Sequence, residues 1–251
     1  MIKPHREFVP RIGLVLATLT VSAGFFVALT GTANATGGWT DRYGQRFLLY
    51  GSCCGGEALW GSRASIIPNH VNPGASYCTL FRSDGEDPDN HYLIQAGVVK
   101  CGTQAQFGDL LECSPNGEFV KFVETETPSD SYHCLPHGVT SVGTEVDAQV
   151  HGYSDSFING WNAYLDGTPE EGIPDLIGAK YLVVGAEHAG TDSCLSSDWG
   201  GTNDATFASA TPVWQRYKFD STWYTVQSSS TSSGCWTVSG GPPNSFTVSF
   251  G

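Results

Sequence analysis

The stretch Tyr92-Leu93-Ile94-Gln95-Ala96-Gly97-Val98-Val99-Lys100 sets the reading of this chain. It is short, apolar and rich in β-branched residues, the form of a strand and not of a helix. Runs of the same kind recur at Gly61 to Ile67, Tyr77 to Arg82, Glu118 to Thr125, Thr144 to His151, Gly160 to Leu165, Lys180 to Ala186, Thr222 to Val226 and Ser245 to Phe250. Clusters of Gly, Pro, Asn and Asp separate them. With 31 Gly and 13 Pro among 251 residues and few helix-favouring runs, the pattern predicts an all-β protein. The architecture that houses so many short strands is an antiparallel two-sheet sandwich of jelly-roll or concanavalin-like type. Ser228 to Ser233 is low in complexity and reads as a surface loop.

The N-terminus adds an address. Lys3, Arg6 and Arg11 precede an apolar run from Ile12 to Leu29, and Ala33-Asn34-Ala35 offers small residues at the two positions a signal peptidase reads. Residues 1–35 are therefore expected to be a Sec signal peptide, and the competing reading is an uncleaved membrane anchor. Residues 36–251 form one expected secreted domain, with 36–60 as an N-terminal arm and 61–251 as the core; no linker or repeat divides it. Loss of residues 1–35 removes three basic and one acidic residue, which takes the formal charge from −13 to −15. Such a surface argues against nucleic acid and anionic membranes as partners. The expected partner is an extended polypeptide substrate or a glycan, and the expected state is an extracellular monomer.

All eight cysteines, Cys53, Cys54, Cys78, Cys101, Cys113, Cys134, Cys194 and Cys235, lie beyond residue 35. An even count in an oxidising compartment predicts up to four disulfides. Cys101 with Cys113, which bracket a short Gly-containing connection, is the first expected pair. No Cys or His spacing fits zinc, and neither a metal nor a cofactor is expected. Asp84, Glu86, Asp87 and Asp89 read as a solvated acidic loop that misses the calcium-loop spacing.

Period-two alternation places polar residues on otherwise apolar strand faces. Gln95 shares a face with Leu93, Gly97 and Val99; Glu187 with Tyr181, Val183 and Gly185; Glu124 and Glu126 with Val120 and Phe122. A glutamate on the floor of a partly apolar groove has its ionised form destabilised, which raises its pKa toward general acid or base work. A primary amide beside it can donate to a developing oxyanion. The glycines beside Gln95 and Glu187 would leave room for an extended chain to approach. The alternative is that these side chains simply face solvent. No nucleophile elbow, metalloprotease helix or phosphate-binding loop is present.

Leu93-Ile94-Gln95-Ala96-Gly97-Val98 resembles the Leu-Gln-Thr-Gly-Val segment of the glutamic peptidases called eqolisins, and is similar to the Ile-Glu-Ala-Gly-Trp motif of neprosin-type peptidases. Phe122-Val123-Glu124-Thr125 stands where eqolisins have Tyr-Glu-Trp-Tyr-Pro. Val184-Gly185-Ala186-Glu187 resembles the segments of both families that end in the second catalytic glutamate. The resemblance runs from about Ala64 to Ala189, with Val98 and Val184 where tryptophans are expected. It implies a jelly-roll sandwich with a concave active face and acid-optimal endopeptidase chemistry. It also implies catalytic roles for Gln95, Glu187 and Glu124: Glu187 as general base, Gln95 as oxyanion donor and Glu124 as a supporting carboxylate.

Two other readings stand beside it. One is a non-catalytic sandwich that binds carbohydrate or a surface ligand through Trp199, Trp214, Tyr217, Trp223 and Trp236. The other is a glycan-processing enzyme that uses two of Glu124, Glu126 and Glu187.

Overall fold

A computed structural model describes residues 41–49, 61–87, 91–105, 108–154, 159–174, 181–190, 194–215, 221–223, 227–232, 235–240 and 245–250. The expected signal peptide and Cys53 and Cys54 lie outside them, as do the side chains of Trp214, Tyr217 and Trp223. In chain order the strands are β1 (Asp41–Leu49), β2 (Gly61–His70), β3 (Cys78–Asp87), β4 (Tyr92–Cys101), β5 (Phe119–Thr127), β6 (Asp130–Val139), β7 (Val146–Ser154), β8 (Asn159–Leu165), β9 (Thr168–Pro174), β10 (Tyr181–Ala189), β11 (Asn203–Gln215), β12 (Ser221–Trp223), β13 (Gln227–Ser232), β14 (Thr237–Gly240) and β15 (Phe246–Phe250). Among the described residues helix is confined to α1 (Gly108–Cys113), α2 (Ser196–Trp199) and a 3₁₀ turn at Pro115–Gly117. None of these is long and apolar enough to cross a membrane.

The strands form two antiparallel sheets packed as a sandwich, as the sequence predicts. One runs β13-β1-β10-β3-β4-β5-β6 and the other β14-β15-β11-β2-β7-β8-β9, with β12 paired to β11. Between them lies a core built from every second residue: Phe81, Ile94, Ala96, Val98, Val123, Leu182, Val184 and Ala186 from the first sheet meet Ala64, Ile66, Val146, Ala148, Val150, Trp161, Ala163, Leu165 and Phe207 from the second. This alternation fixes the register, because a slip of one residue would turn each apolar set to the wrong face. Trp161, fully buried, fills the space over Gly85, where an added Cβ would come within 2.7 Å of its ring. The one hydroxyl pair in this layer, Ser62 and Ser83, bonds across the sheets at 2.7 Å and so leaves neither group unmatched.

Several expectations are corrected. Tyr77 to Arg82 ends too early: β3 runs to Asp87, and Asp84, Glu86 and Asp87 are strand residues, with Asp84 at 0% and Asp87 at 8% exposure, not a solvated loop. Asp84 and Glu86 read as loop because they lie on the strand's polar outer face; Asp89 lies outside the described residues. The stretch Ser228 to Ser233 supplies most of edge strand β13, paired with β1. Residues 41–49 of the expected arm are likewise a strand inside the first sheet. Strand β9 goes unmarked in the sequence because Pro and Glu dominate it; a two-residue turn, Asp166 (φ 52°) and Gly167 (φ 80°), folds it back on β8.

The cysteine pairing also differs. Cys101 joins Cys78 on the adjacent strand, Cys113 joins Cys134, and Cys194 joins Cys235. Cross-strand neighbours satisfy disulfide geometry more readily than the ends of a connection that is itself a helix and its approach. Trp199 and Trp236 are 0% and 3% exposed. They are core, not ligand platforms: Trp199 stacks on His188 and on Phe250, each with ring centroids 3.9 Å apart, and meets Trp236 edge-on.

Candidate active site

The outer face of the first sheet carries the other alternating set. Its rows follow from the strand register. Glu187 of β10 stands opposite Leu80 of β3, which stands opposite Val99 of β4 and, beyond it, Val120 of β5. The next row is Gly185, Arg82, Gly97 and Phe122. Then come Val183, Asp84, Gln95, Glu124 and Cys134, and after them Tyr181, Glu86, Leu93 and Glu126.

One end of this face is apolar and covered. Leu80, Val99, Val120 and Phe122 pack beneath Leu110 and Cys113 of α1, with the Cys78–Cys101 and Cys113–Cys134 bridges among them. The rest is a diagonal polar band from Glu187 through Arg82, Asp84 and Gln95 to Glu124 and Glu126. Most of it is withdrawn from water: Asp84 is 0% exposed, Gln95 3%, Arg82 and Glu124 5%. An unpaired charge so placed would be costly, and Arg82 sits between two carboxyls instead. Arg82 Nε lies 2.9 Å from Asp84 Oδ2, and its Nη1 lies 3.2 Å from Glu187 Oε2. Gln95 Nε2 donates to Glu124 Oε2, while Gln95 Oε1 has no hydrogen-bond partner among the described residues.

Burial governs the protonation of this band. It pushes Asp84 well above the usual aspartate range; Arg82 opposes the shift, Glu86 and Glu187 add to it, and a hydrogen bond from the Val183 backbone opposes it. Glu86 is raised by burial against the pull of Arg82. Glu187 is likewise raised by burial, with Arg82 acting the other way. Glu126 is raised by burial and eased by a hydrogen bond from Tyr132. Tyr132 is itself raised, first by burial and then by Glu126, Glu124 and Glu187, so its phenol stays protonated and available as a donor.

All three predicted site residues thus lie on one face, and Gln95 and Glu124 are brought into contact. Gln95 and Glu187 are not opposite one another. Their rows differ by four residues, about 13 Å along the strands, and β3 runs between their strands. Arg82 and Asp84 occupy that interval. The sequence reading missed these two because it ended the strand at Arg82, and Tyr132 because it marked no strand over β6. The alternation Leu80, Arg82, Asp84, Glu86 was the available signal. Among the described residues no group of His, Cys, Asp and Glu is arranged to hold a metal ion. Carboxylates of raised pKa beside a fixed amide and a guanidinium can exchange protons with a bound water and donate to a developing negative charge.

No protein-family model matches the chain, and no curated protein matches it in sequence. Among solved structures it is similar to Scytalido-glutamic peptidase bound to a peptide-based transition state analog. The TM-score is 0.50 at 10% identity, over 84% of this chain and 98% of that one. SCP-B, a member of the eqolisin family solved with the tripeptide Ala-Ile-His, gives 0.47 at 12% identity with the same coverage. At such identities the likeness to Scytalido-glutamic peptidase concerns the fold.

Proposed function

We propose that this chain is a secreted glutamic-type acid endopeptidase, in which Glu187 activates water and Gln95 stabilises the oxyanion of the tetrahedral intermediate. The observation that carries the reading is the recessed outer face: Gln95, Glu124 and Glu187 share it, on a fold like that of a glutamic peptidase. Water bound against Glu187 loses a proton to the carboxylate and attacks the peptide carbonyl carbon. Electron density moves to the carbonyl oxygen, where an N–H of Gln95 stabilises it; the Gln95 and Glu187 side chains must both reach across the intervening Arg82 row to meet there. Protonated Glu187 then returns the proton to the leaving amine as the C–N bond breaks. Glu124 accepts a hydrogen bond from Gln95 Nε2, which orients the amide and leaves its second N–H for substrate. Burial raises the pKa of Glu187, which makes its carboxylate a better proton acceptor and places the acid limb of activity where that carboxylate becomes protonated. The three described disulfides favour an oxidising compartment, and the N-terminal signal supplies the route.

The test is hydrolysis of denatured casein and a peptide library by the purified protein from pH 2.5 to 7.5. Cleavage with an acid optimum is expected. Glu187→Gln and Gln95→Ala should each lower kcat by roughly 10²-fold or more while the fold is retained. If wild-type protein cleaves nothing across that range, or if both variants cleave normally, the peptidase assignment fails.

A further inference from the structure

The row between Glu187 and Gln95 holds Arg82, flanked by Gly185 on one side and Gly97 on the other. With no side chain at either flank, the guanidinium can lie along the sheet surface. Its Nε faces Asp84 and its Nη1 faces Glu187, at 2.9 and 3.2 Å. Arg82 is 5% exposed and Asp84 0%, while Glu187 keeps 13% of its side chain open. One carboxylate of this bridge is therefore sealed, and the other is the member that can reach a ligand. Among the described residues of the band Arg82 is the one arginine or lysine. Its planar fork spans two carboxylates in a way that the point charge of a lysine does not.

We propose that Arg82 is the positioning residue of this site: anchored by buried Asp84, it fixes the orientation of the Glu187 carboxyl in the recess, where it meets a bound water. The proposal deepens the peptidase reading, on which the base role of Glu187 rests. Arg82, Asp84 and Glu86 of β3 and the phenol of Tyr132 on β6 interact electrostatically with Glu187, while Gln95 of β4 and Glu124 and Glu126 of β5 stand further along the same face. On β1, Tyr43 stands opposite Glu187 in register. Asp84 and Glu86 are acidic and repel an ionised Glu187, while the charge of Arg82 works in its favour. Asp84 competes with Glu187 for that charge. The two substitutions on the bridge should then act with opposite sign.

The test labels glutamate with ¹³C at the carboxyl carbon and follows Glu187, assigned through Glu187→Gln, from pH 3 to 8. In Arg82→Met its midpoint should rise by about one pH unit or more. In Asp84→Asn, where Arg82 is left to Glu187, it should fall. Where peptide cleavage is measurable, the acid limb of kcat should move in the same two directions with KM little changed, and Arg82→Lys should recover part of the wild-type profile. Midpoints that stay put in both variants while only thermal stability drops would overturn the proposal. Should Arg82→Met fail to fold, Asp84→Asn decides alone: an unmoved or raised midpoint there overturns it. The titration needs no substrate, so wild type that cleaves nothing would remove the peptidase reading and leave the Arg82 result standing.

Discussion

Gln95 on β4 and Glu124 on β5 are opposite each other in register, and the Gln95 amide donates to the Glu124 carboxylate at a place where 3% and 5% of the two residues meet solvent. A buried amide of this kind depends on its acceptor. Glu124→Leu should destabilise the fold by about 1–3 kcal/mol, because it leaves the donor unmatched, whereas Glu124→Gln keeps an acceptor oxygen and should cost less. Urea unfolding of the two variants decides this, and equal stabilities would mean that the bond contributes nothing.

Stability should peak on the acid side of neutrality. Burial raises the folded-state pKa of Asp84, Glu86, Glu126 and Glu187. The native state thus binds these protons more tightly than the unfolded chain. Their contribution is complete below the ordinary carboxyl range and is lost as pH rises through the raised values. His188 has the opposite sign. Burial takes it from 6.5 to about 4, so its contribution is present above its ordinary value and is lost as pH falls toward about 4. Melting temperatures from pH 3 to 8 should pass through a maximum between these limbs. His188→Phe, which keeps a ring against Trp199, should flatten the acid limb. A wild-type curve that climbs steadily to pH 8 would contradict the burial of these carboxyls.

Gly97→Ala should be poorly tolerated. The added Cβ would stand 2.0 Å from the Phe81 carbonyl oxygen and 2.8 Å from Arg82 Cα, so β3 and β4 would have to part at the row that holds Arg82. Overpacking of this kind costs about 1–3 kcal/mol, and thermal denaturation reads it directly. The same substitution at Gly167, a turn position where φ is 80° and nothing lies within 4 Å of the new Cβ, should act through backbone strain alone.

The Cys113–Cys134 bridge ties α1 to β6 over a sequence separation of 21 residues. On the chain-entropy account, replacing both cysteines by serine should remove about 3 kcal/mol. Beyond that loss, α1 would be freed from the apolar end of the outer face, where Leu110 packs. Amide exchange should then rise first in 110–113, ahead of the sheet. Uniform exchange across the domain would show that the bridge acts on global stability only.

The sequence by itself determined the class of fold. Strand periodicity, glycine and proline punctuation and scarce helix-forming runs are local properties, and the β4 stretch through Gln95 shows them in full. They also put Gln95, Glu124 and Glu187 on strand faces with small or apolar neighbours, because side-chain alternation follows from strand geometry alone. What the sequence could not supply is which strands pair and in what register. Asp84 read as loop because its charge carries no local sign of burial, and only the docking of β3 between β10 and β4 withdraws it from water and brings Glu187 and Gln95 alongside. Trp199 read as a ligand platform because exposure is not a local quantity, and only the packing of α2 against β10 and β15 buries it. Cys101 read as the partner of Cys113 because proximity along the chain is visible in a sequence while proximity across a sheet is not. Tertiary pairing decided the band that joins Glu187 to Gln95 through Arg82 and Asp84, since the Arg82–Glu187 and Gln95–Glu124 contacts are long-range and exist only once the sheet is formed.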